Sequence, residues 1–156
     1  MTGSSQPAQK AVHRFLLQRP IPPSWTRKQW ELLACTIRYH RGPEPATTSR
    51  AFARLSEDER NNVRALAGVI RLARGLRKCK IEKYDAFRAE KTAAAVLLHV
   101  PGLVDSAANA SVLASAKHLL DTYLLKPLIP KPAEPPQLLT MRSTIFSEPP
   151  LAAASD

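Results

Sequence analysis

Five cationic side chains recur along the stretch from Leu55 to Lys80, and their spacing is the clearest chemical signal in the chain. At ~100° per residue in an α-helix, they fall within a sector of roughly 80°. They are Arg60, Arg64, Arg71, Arg74 and Lys78. At ~1.5 Å rise per residue this row extends about 27 Å, which is long enough to follow a polymer. Because guanidinium and ammonium groups bind phosphate strongly, the row predicts a site for a polyanion.

A second interpretation of the row remains open. Arg and Lys commonly occupy an exposed helix face, where they favour helicity and solubility without binding anything. Against this, few acids follow Glu59 on the helix, so the cations gain little i,i+4 pairing and repel one another. Arg38 and Arg41, at the end of the preceding predicted helix, are expected to lie nearby and join the candidate polyanion-binding set.

The remaining reactive residues form no recognisable catalytic pattern. The four histidines show no metal-ligand spacing with each other or with either cysteine. His118 and Asp121 are three residues apart, as in an ordinary surface pair on a helix. Cys79 lies among basic residues that would lower the pKa of an exposed thiol, although an incidental thiol near a helix end is the simpler interpretation. We therefore expect no complete active site, no metal and no cofactor in this chain.

Composition narrows the class of partner. The chain has 156 residues and a formal net charge of +10, which favours polyphosphate, nucleotides, nucleic acid or an acidic protein. Its two cysteines form no disulfide framework and fit a reducing compartment. The sequence lacks an apolar run of ~18 residues, so we expect no membrane span. We expect a cytoplasmic protein, because the acid-poor N-terminus that resembles a mitochondrial transit peptide is short and interrupted by prolines.

Two long helices are predicted to position the cations. Thr26 and Gln29 form a capping-box pattern that begins a helix ending near His40, where Gly42 and proline follow. Ser56 and Glu59 form a second capping box at the start of the helix that carries the row. The predicted core stripe of this second helix comprises Val63, Leu66, Ala67, Val69, Ile70, Ala73 and Leu76.

The chain beyond Lys80 predicts short strands and a third helix. Residues 81–84, 87–91 and 94–100 predict a small sheet of two or three short strands, and Asp105 or Ser106 caps a helix over about 107–125. The predicted inner stripe of that helix is Ala110, Leu113, Ala114, Lys117, Leu120, Tyr123 and Leu124. Prolines from Pro127 onward are expected to end regular structure. We thus predict a mainly α, α+β domain over 23–126, a disordered or altered N-terminus over 1–22 and a proline-rich tail over 127–156.

Two runs of the sequence resemble a known family. They are WTRKQWELLACTIRYHRG, from Trp25 to Gly42, and FARLSEDERNNVRALAGVIRLARGLR, from Phe52 to Arg77. Together with FRAEKTAAAVLLHVPGL and SAKHLLDTYLLKPLI, they are similar to the C-terminal region of the exopolyphosphatase/guanosine pentaphosphate phosphatase family, especially its fungal retrograde-regulation branch. The resemblance depends most on the RYHR helix end, the F-x-x-L entry and the L-A-x-x-x-R-L-A helix, and it covers roughly residues 25–130.

The resemblance carries several implications. The family's catalytic, actin-like ATPase-fold domains lie upstream, and the matching helical region is similar to the HD-type phosphohydrolase fold. Of the His, His-Asp and final Asp of an HD metal site, this chain offers only His40, while Arg74 and Arg77 occupy a turn where an acid is common in the family. Cations cannot ligate a divalent metal. In the family this half supplies basic walls to a polyphosphate channel, a role that Arg74 and Arg77 would suit.

The sequence therefore predicts a fragment that acts as an accessory, regulatory polyanion-binding module, for polyphosphate or a nucleotide, and is not itself a hydrolase. One alternative is a protein-interaction module in mitochondria-to-nucleus signalling that binds an acidic protein. Another is a part of an active exopolyphosphatase or guanosine pentaphosphatase. General nucleic-acid binding is a weaker fit, because stacking aromatic residues are scarce beside the row. A homodimer is compatible with each of these functions.

Overall fold

The computed structural model describes residues 8–81 and 86–133, which form a mainly helical α+β structure, as predicted. In chain order the elements are α1 (Ala8–Gln18), α2 (Arg27–Tyr39), α3 (Arg50–Ala53), α4 (Glu57–Lys78), β1 (Arg88–Lys91), β2 (Val96–Val100), α5 (Ala107–Leu124) and β3 (Leu128–Pro132). No helix within the described residues is long and apolar enough to cross a membrane.

Both predicted capping boxes are present. Thr26 Oγ1 accepts from the Gln29 amide at 3.2 Å, and the Gln29 side chain accepts in return from the Thr26 amide at 2.9 Å. At the start of α4, Glu59 Oε2 accepts from the Ser56 amide at 2.8 Å. These local bonds satisfy amides that lack helical partners, which is why the sequence alone places both helix starts correctly.

The small sheet has the order β1–β2–β3, with β1 antiparallel to β2 and β3 parallel to it. Helix α5 connects the two parallel strands. The expectation that regular structure ends at Pro127 is wrong, because Leu128–Pro132 form β3 at the edge of the sheet. An edge strand tolerates proline, which lacks an amide donor. Asp121 holds the first residue of β3 in place, because its Oδ1 accepts a hydrogen bond from the Leu128 amide at 2.6 Å.

Two apolar cores lie along α4. One joins its N-terminal half to α2 and α3 and includes Cys35, Tyr39, Phe52, Leu55, Val63, Ala67 and Leu119. The other joins its C-terminal half to α5 and the sheet and includes Leu72, Leu76, Cys79, Ile81, Val100, Leu103, Leu113, Leu120 and Leu128. Helix α5 contributes to both cores as well, with Leu119 in the first and Leu113 and Leu120 in the second. Helix α4 runs along both cores and so positions its cations relative to the elements around it.

The predicted boundaries of the chain need correction. Within the span predicted to be disordered or altered, residues 11–19 predict only one or two amphipathic turns before Pro20. The structure has a longer helix there, α1, packed on α2, where the Trp30 Nε1–H donates to the Leu16 carbonyl at 2.9 Å. Residues 128–132 belong to the sheet and not to a tail. The predicted strand over 81–84 lies mostly outside the described residues, as do residues 1–7 and 134–156.

The predicted inward face of α4 is wrong in part. Leu66, Val69, Ile70 and Ala73 are exposed, whereas Gly68, Leu72, Gly75 and Cys79 are buried with Val63, Ala67 and Leu76. The reason is close packing against α5: a Cβ added at Gly75 would lie 2.6 Å from the Ala116 Cβ, and one added at Gly68 would lie 2.8 Å from Leu120 Cγ. Glycines permit this approach, so the face of α4 that carries Gly68 and Gly75 lies against α5, and the face that carries Leu66, Val69 and Ile70 lies outward.

The predicted inner stripe of α5 shifts for the same reason. Leu113 and Leu120 are buried as expected, but Ala110, Ala114 and Tyr123 are exposed, and Leu119 is buried instead. In α2 the buried residues are Ala34, Cys35, Thr36 and Tyr39, while Trp30, Leu33 and Ile37 are only half-buried.

Candidate anion-binding site

A depression of about 370 Å³ lies where the end of α2 meets the C-terminal half of α4 and the middle of α5. We call it the cationic depression. Its lining residues are His40, Arg41, Gly42, Arg71, Arg74, Gly75, Lys78, Val112, Ser115 and Ala116. An adjoining depression of about 390 Å³ is lined by Arg41, Arg74, Arg77 and Lys78. The two share three cations, so together they form one continuous basic surface.

Local backbone geometry shapes this surface. Helix α2 ends at Tyr39, and Gly42 adopts a positive φ of 76°, which turns the chain across the side of α4. The floor depends on Gly75, since any side chain there would collide with Ala116 and separate α4 from α5. The turn brings Arg41 beside cations that lie more than thirty residues later in the sequence.

Arg71 anchors the turn to α4. Its Nε–H donates to the Tyr39 carbonyl at 2.9 Å, and its Nη2 donates to the carbonyls of Gly42 at 2.9 Å and Pro43 at 3.0 Å. Burial lowers the pKa of the Arg71 guanidinium, while the negative charge of Glu44 acts in the opposite direction. Arginine nevertheless stays protonated inside proteins. Arg71 therefore fixes the shape of the site and adds positive charge to its wall.

Four cations on this surface are available to a ligand. Arg41, Arg77 and Lys78 are exposed and Arg74 is half-buried. Among the described residues, none of these four side chains has a hydrogen-bond or ion-pair partner. Like charges held together without counter-charges raise the local potential and attract anions.

The other three predicted site residues lie elsewhere. The Arg64 guanidinium sits over the Phe52 ring at 5.3 Å and donates to Asn61 Oδ1 at 2.9 Å. Arg60 is half-buried, and Arg38 sits over the Tyr39 ring at 5.5 Å, on the side that faces α1. The eight predicted residues thus separate into five at the basic surface (Arg41, Arg71, Arg74, Arg77 and Lys78) and three outside it.

Two polar side chains of the depression are absent from the predicted set. His40 Nδ1 donates to the Ile37 carbonyl at 2.5 Å, which leaves Nε2 for the depression. The position of His40 beside Arg41 at the predicted helix end could have identified it as a candidate site residue from the sequence. Ser115 lies on α5, and only the packing of α5 on α4 brings its hydroxyl to the same wall. No pattern within α5 marks it.

His118 and Asp121, the pair singled out from the sequence, have structural partners. His118 Nδ1 pairs with the Glu44 carboxylate, and Asp121 binds both Lys117 Nζ and the Leu128 amide, at 2.6 Å each. The alternative of a reactive Cys79 is wrong, because that thiol is buried and burial raises its pKa. Burial likewise raises the pKa of the Cys35 thiol to about 11. Within residues 8–81 and 86–133, no three His, Cys, Asp or Glu side chains are grouped to hold a metal ion.

Comparison with known proteins adds no assignment. No family model matches the chain, and no curated protein matches it.

Proposed function

We propose that this chain binds a phosphate-rich polyanion, polyphosphate or the phosphates of a nucleotide, at the surface formed by Arg41, Arg74, Arg77 and Lys78. The observation that supports this most directly is the convergence of these four cations, without partners among the described residues, on one continuous depression. Arginine forks donate paired hydrogen bonds to phosphate oxygens, and lysine adds a point charge. Arg71, His40 and Ser115 complete the wall.

The size of the surface limits how many phosphates it contacts directly. The available cations of α4 lie between Arg74 and Lys78, which is about 6 Å along the helix axis. The sequence row of about 27 Å is thereby shortened, because Arg60 and Arg64 lie outside the site. A short polyphosphate or a nucleotide tri- or tetraphosphate fits such a span, and a longer polymer would be held at one segment.

We further propose that the chain binds without hydrolysing, as an accessory, regulatory module of a phosphatase-like protein. The resemblance to the exopolyphosphatase/guanosine pentaphosphate phosphatase family favours this role. The residues that line the depression within the described structure are cations, a histidine, a serine and small apolar groups, with no carboxylate among them. Positive walls of this kind orient a phosphate chain, and one histidine without a carboxylate or thiolate beside it does not form a metal site.

Calorimetric titration with tripolyphosphate and with a longer polyphosphate tests the proposal. Arg74→Gln and Arg64→Gln form a matched pair, because both remove one guanidinium from the same helix. Loss of a charge-assisted hydrogen bond is expected to weaken binding about tenfold or more in Arg74→Gln. Arg64→Gln should bind as the parent does. Affinity should also fall steeply as salt rises, and less steeply for Arg74→Gln.

Three results would contradict this function. The first is equal binding by the two variants, and the second is binding that does not respond to salt. The third is release of phosphate by the purified chain, which would overturn the proposal that it does not hydrolyse. Binding of an acidic peptide that polyphosphate cannot displace would instead favour a protein partner at this surface.

A further inference from the structure

One face of the small sheet carries a row of basic side chains. Arg88 of β1 lies directly opposite His99 of β2, and His99 in turn lies opposite Lys131 of β3. Residues paired in this register project from the same face of a sheet, about 5 Å apart. The three side chains therefore form one line across all three strands, which we call the sheet row.

The sheet row lies on the face opposite the apolar core. Successive side chains of a strand point to opposite faces, so Leu98 and Val100 point away from the face that carries His99. Both pack with the core that the sheet shares with α4 and α5. On the other face Arg88 and Lys131 are exposed, and the His99 side chain retains 31% of its surface exposure. The sheet row is thus accessible to a small ligand.

A depression of about 480 Å³ lies at the sheet row. It is lined by Arg88, Glu90, His99, Lys131, Pro132 and Ala133. None of these residues lines the cationic depression or the basic surface that adjoins it. The sheet row is therefore a second basic site, built from different elements of the fold.

The two cations at the ends of the sheet row have no counter-charge. Within residues 8–81 and 86–133, the side chains of Arg88 and Lys131 have no hydrogen-bond or ion-pair partner. The acid in the lining, Glu90, has its Oε2 3.7 Å from His99 Nε2, which is too long for a hydrogen bond. Positive charges on both sides of the imidazole raise the local potential and attract an anion.

The dimensions of the sheet row fit a single phosphate group. From Arg88 to Lys131 the backbone spans two strand spacings, about 10 Å. Both side chains are long enough to reach inward over His99, which lies midway between them. A guanidinium, an ammonium and an imidazole N–H together provide donors for the terminal oxygens of one phosphate monoester. The lining of this depression holds no further Lys or Arg that could follow a longer polyanion.

Glu90 restricts which phosphate compound fits. Its carboxylate would repel a bare phosphate ion bound beside it. Along β1 it lies two residues from Arg88, about 7 Å, which is a distance that one sugar ring covers. We propose that the sheet row binds a sugar phosphate, whose phosphate contacts Arg88, His99 and Lys131. A sugar hydroxyl donates to the Glu90 carboxylate, so the one acid in the lining becomes a specificity-determining contact.

Amide chemical-shift mapping of the full chain during titration with ribose 5-phosphate tests the proposal. The shifts should concentrate at the residues of the sheet row. Arg88→Gln and Lys91→Gln form a matched pair, because both remove one exposed cation from β1 but Lys91 belongs to the opposite face. Arg88→Gln should bind about tenfold more weakly, and Lys91→Gln should bind as the parent does. Equal binding by the two variants, or no shifts at the sheet row, would overturn the proposal.

Inorganic phosphate as the probe tests the role of Glu90. The parent chain should bind it more weakly than ribose 5-phosphate, because it brings no hydroxyl to the carboxylate. Glu90→Gln removes the repulsion and should raise the affinity for inorganic phosphate severalfold, with a smaller gain for ribose 5-phosphate. Equal binding of the two probes by the parent chain, or equal gains in the variant, would overturn the assignment of Glu90.

The sheet row and the proposed polyanion surface fail or hold independently. Arg74→Gln removes a cation from the polyanion surface and should leave the ribose 5-phosphate shifts at the sheet row unchanged. Loss of those shifts in Arg74→Gln would show that the two sites are not separate and would contradict this inference. Polyphosphate binding by the parent chain tests the proposed function alone.

Discussion

Both halves of α4 carry cations, most of them in one sector of the helix, yet the fold uses them differently. In the N-terminal half, Arg64 covers the Phe52 ring and binds Asn61, and Arg60 is half-buried. In the C-terminal half, Arg74, Arg77 and Lys78 face a depression and have no partner among the described residues. The comparison shows that a row of cations on a helix is not one functional unit. The elements packed beside each turn decide whether its charge is used inside the protein or offered to a ligand.

Arg71 lies at the boundary between these two uses. Its guanidinium donates hydrogen bonds to three backbone carbonyls at the C-terminal end of α2, and its positive charge still contributes to the depression. The chain thus uses one cation to build the site in which the next cations act. Variants that affect one half and spare the other test this division.

Phe52→Ala should have the largest effect, confined to the N-terminal half. Phe52 is fully buried, with its ring against Tyr39 at 5.5 Å and beneath Arg64. Removing such a ring costs about 3–5 kcal/mol of unfolding free energy. Urea unfolding followed by circular dichroism measures it. A Phe52→Ala variant that remains folded should bind polyphosphate as the parent does. A loss of binding in the folded state would contradict the division between the two halves of α4.

Arg71→Met is expected to affect both halves. The three carbonyls at the end of α2 lose their donors, which should cost about 1–3 kcal/mol of unfolding free energy, and the depression loses its shape and a charge. Arg71→Lys is the matched control, since it keeps the charge but not the planar fork. Lys should restore part of the affinity but little of the stability. Full recovery of both by lysine would show that charge alone matters at this position.

Lowering the pH should destabilise the packing of α1 on α2 through His13, with a smaller effect than either substitution above. His13 is 8% exposed, and burial, helped by the positive charge of Arg38, lowers its pKa below the ordinary value of 6.5. The unfolded chain then binds a proton that the folded chain resists, so stability is complete above pH 6.5 and falls as the pH drops through that value. His13→Leu should flatten this dependence between about pH 7.5 and 5.5 in thermal unfolding. Parallel curves for the two proteins would contradict the assignment.

Local signals made much of the fold predictable. The capping residues Ser56, Thr26 and Ser106 begin their helices as expected, because a cap depends on groups only three residues apart. Strand β2 also follows from an apolar, β-branched run that ends in a turn, whereas the sequence of β1 is short and mixed and predicts a strand only weakly. Strand β3 was missed, since its prolines argue against a strand unless an edge position is known.

The candidate site was predictable only as a set of residue types. Spacing alone selected Arg60 and Arg74 equally, because a helical wheel contains no information about what packs against each turn. The wheel also assigned Leu66, Val69 and Ile70 to the core, since apolar residues usually lie inward. Ser115 could not be found, because it reaches the site from another helix.

The sequence by itself determined where α2, α4 and α5 begin, that α4 is a long helix bearing a row of cations, and that the chain is strongly basic. These depend on short-range hydrogen bonds and on composition. Only the tertiary structure decided which side of α4 faces inward and which cations remain available. The physical reason is the close approach of α4 and α5 at Gly68 and Gly75. Because the glycine face of α4 lies against α5, the rotation of the whole helix is fixed, and with it the position of every cation and apolar side chain on α4.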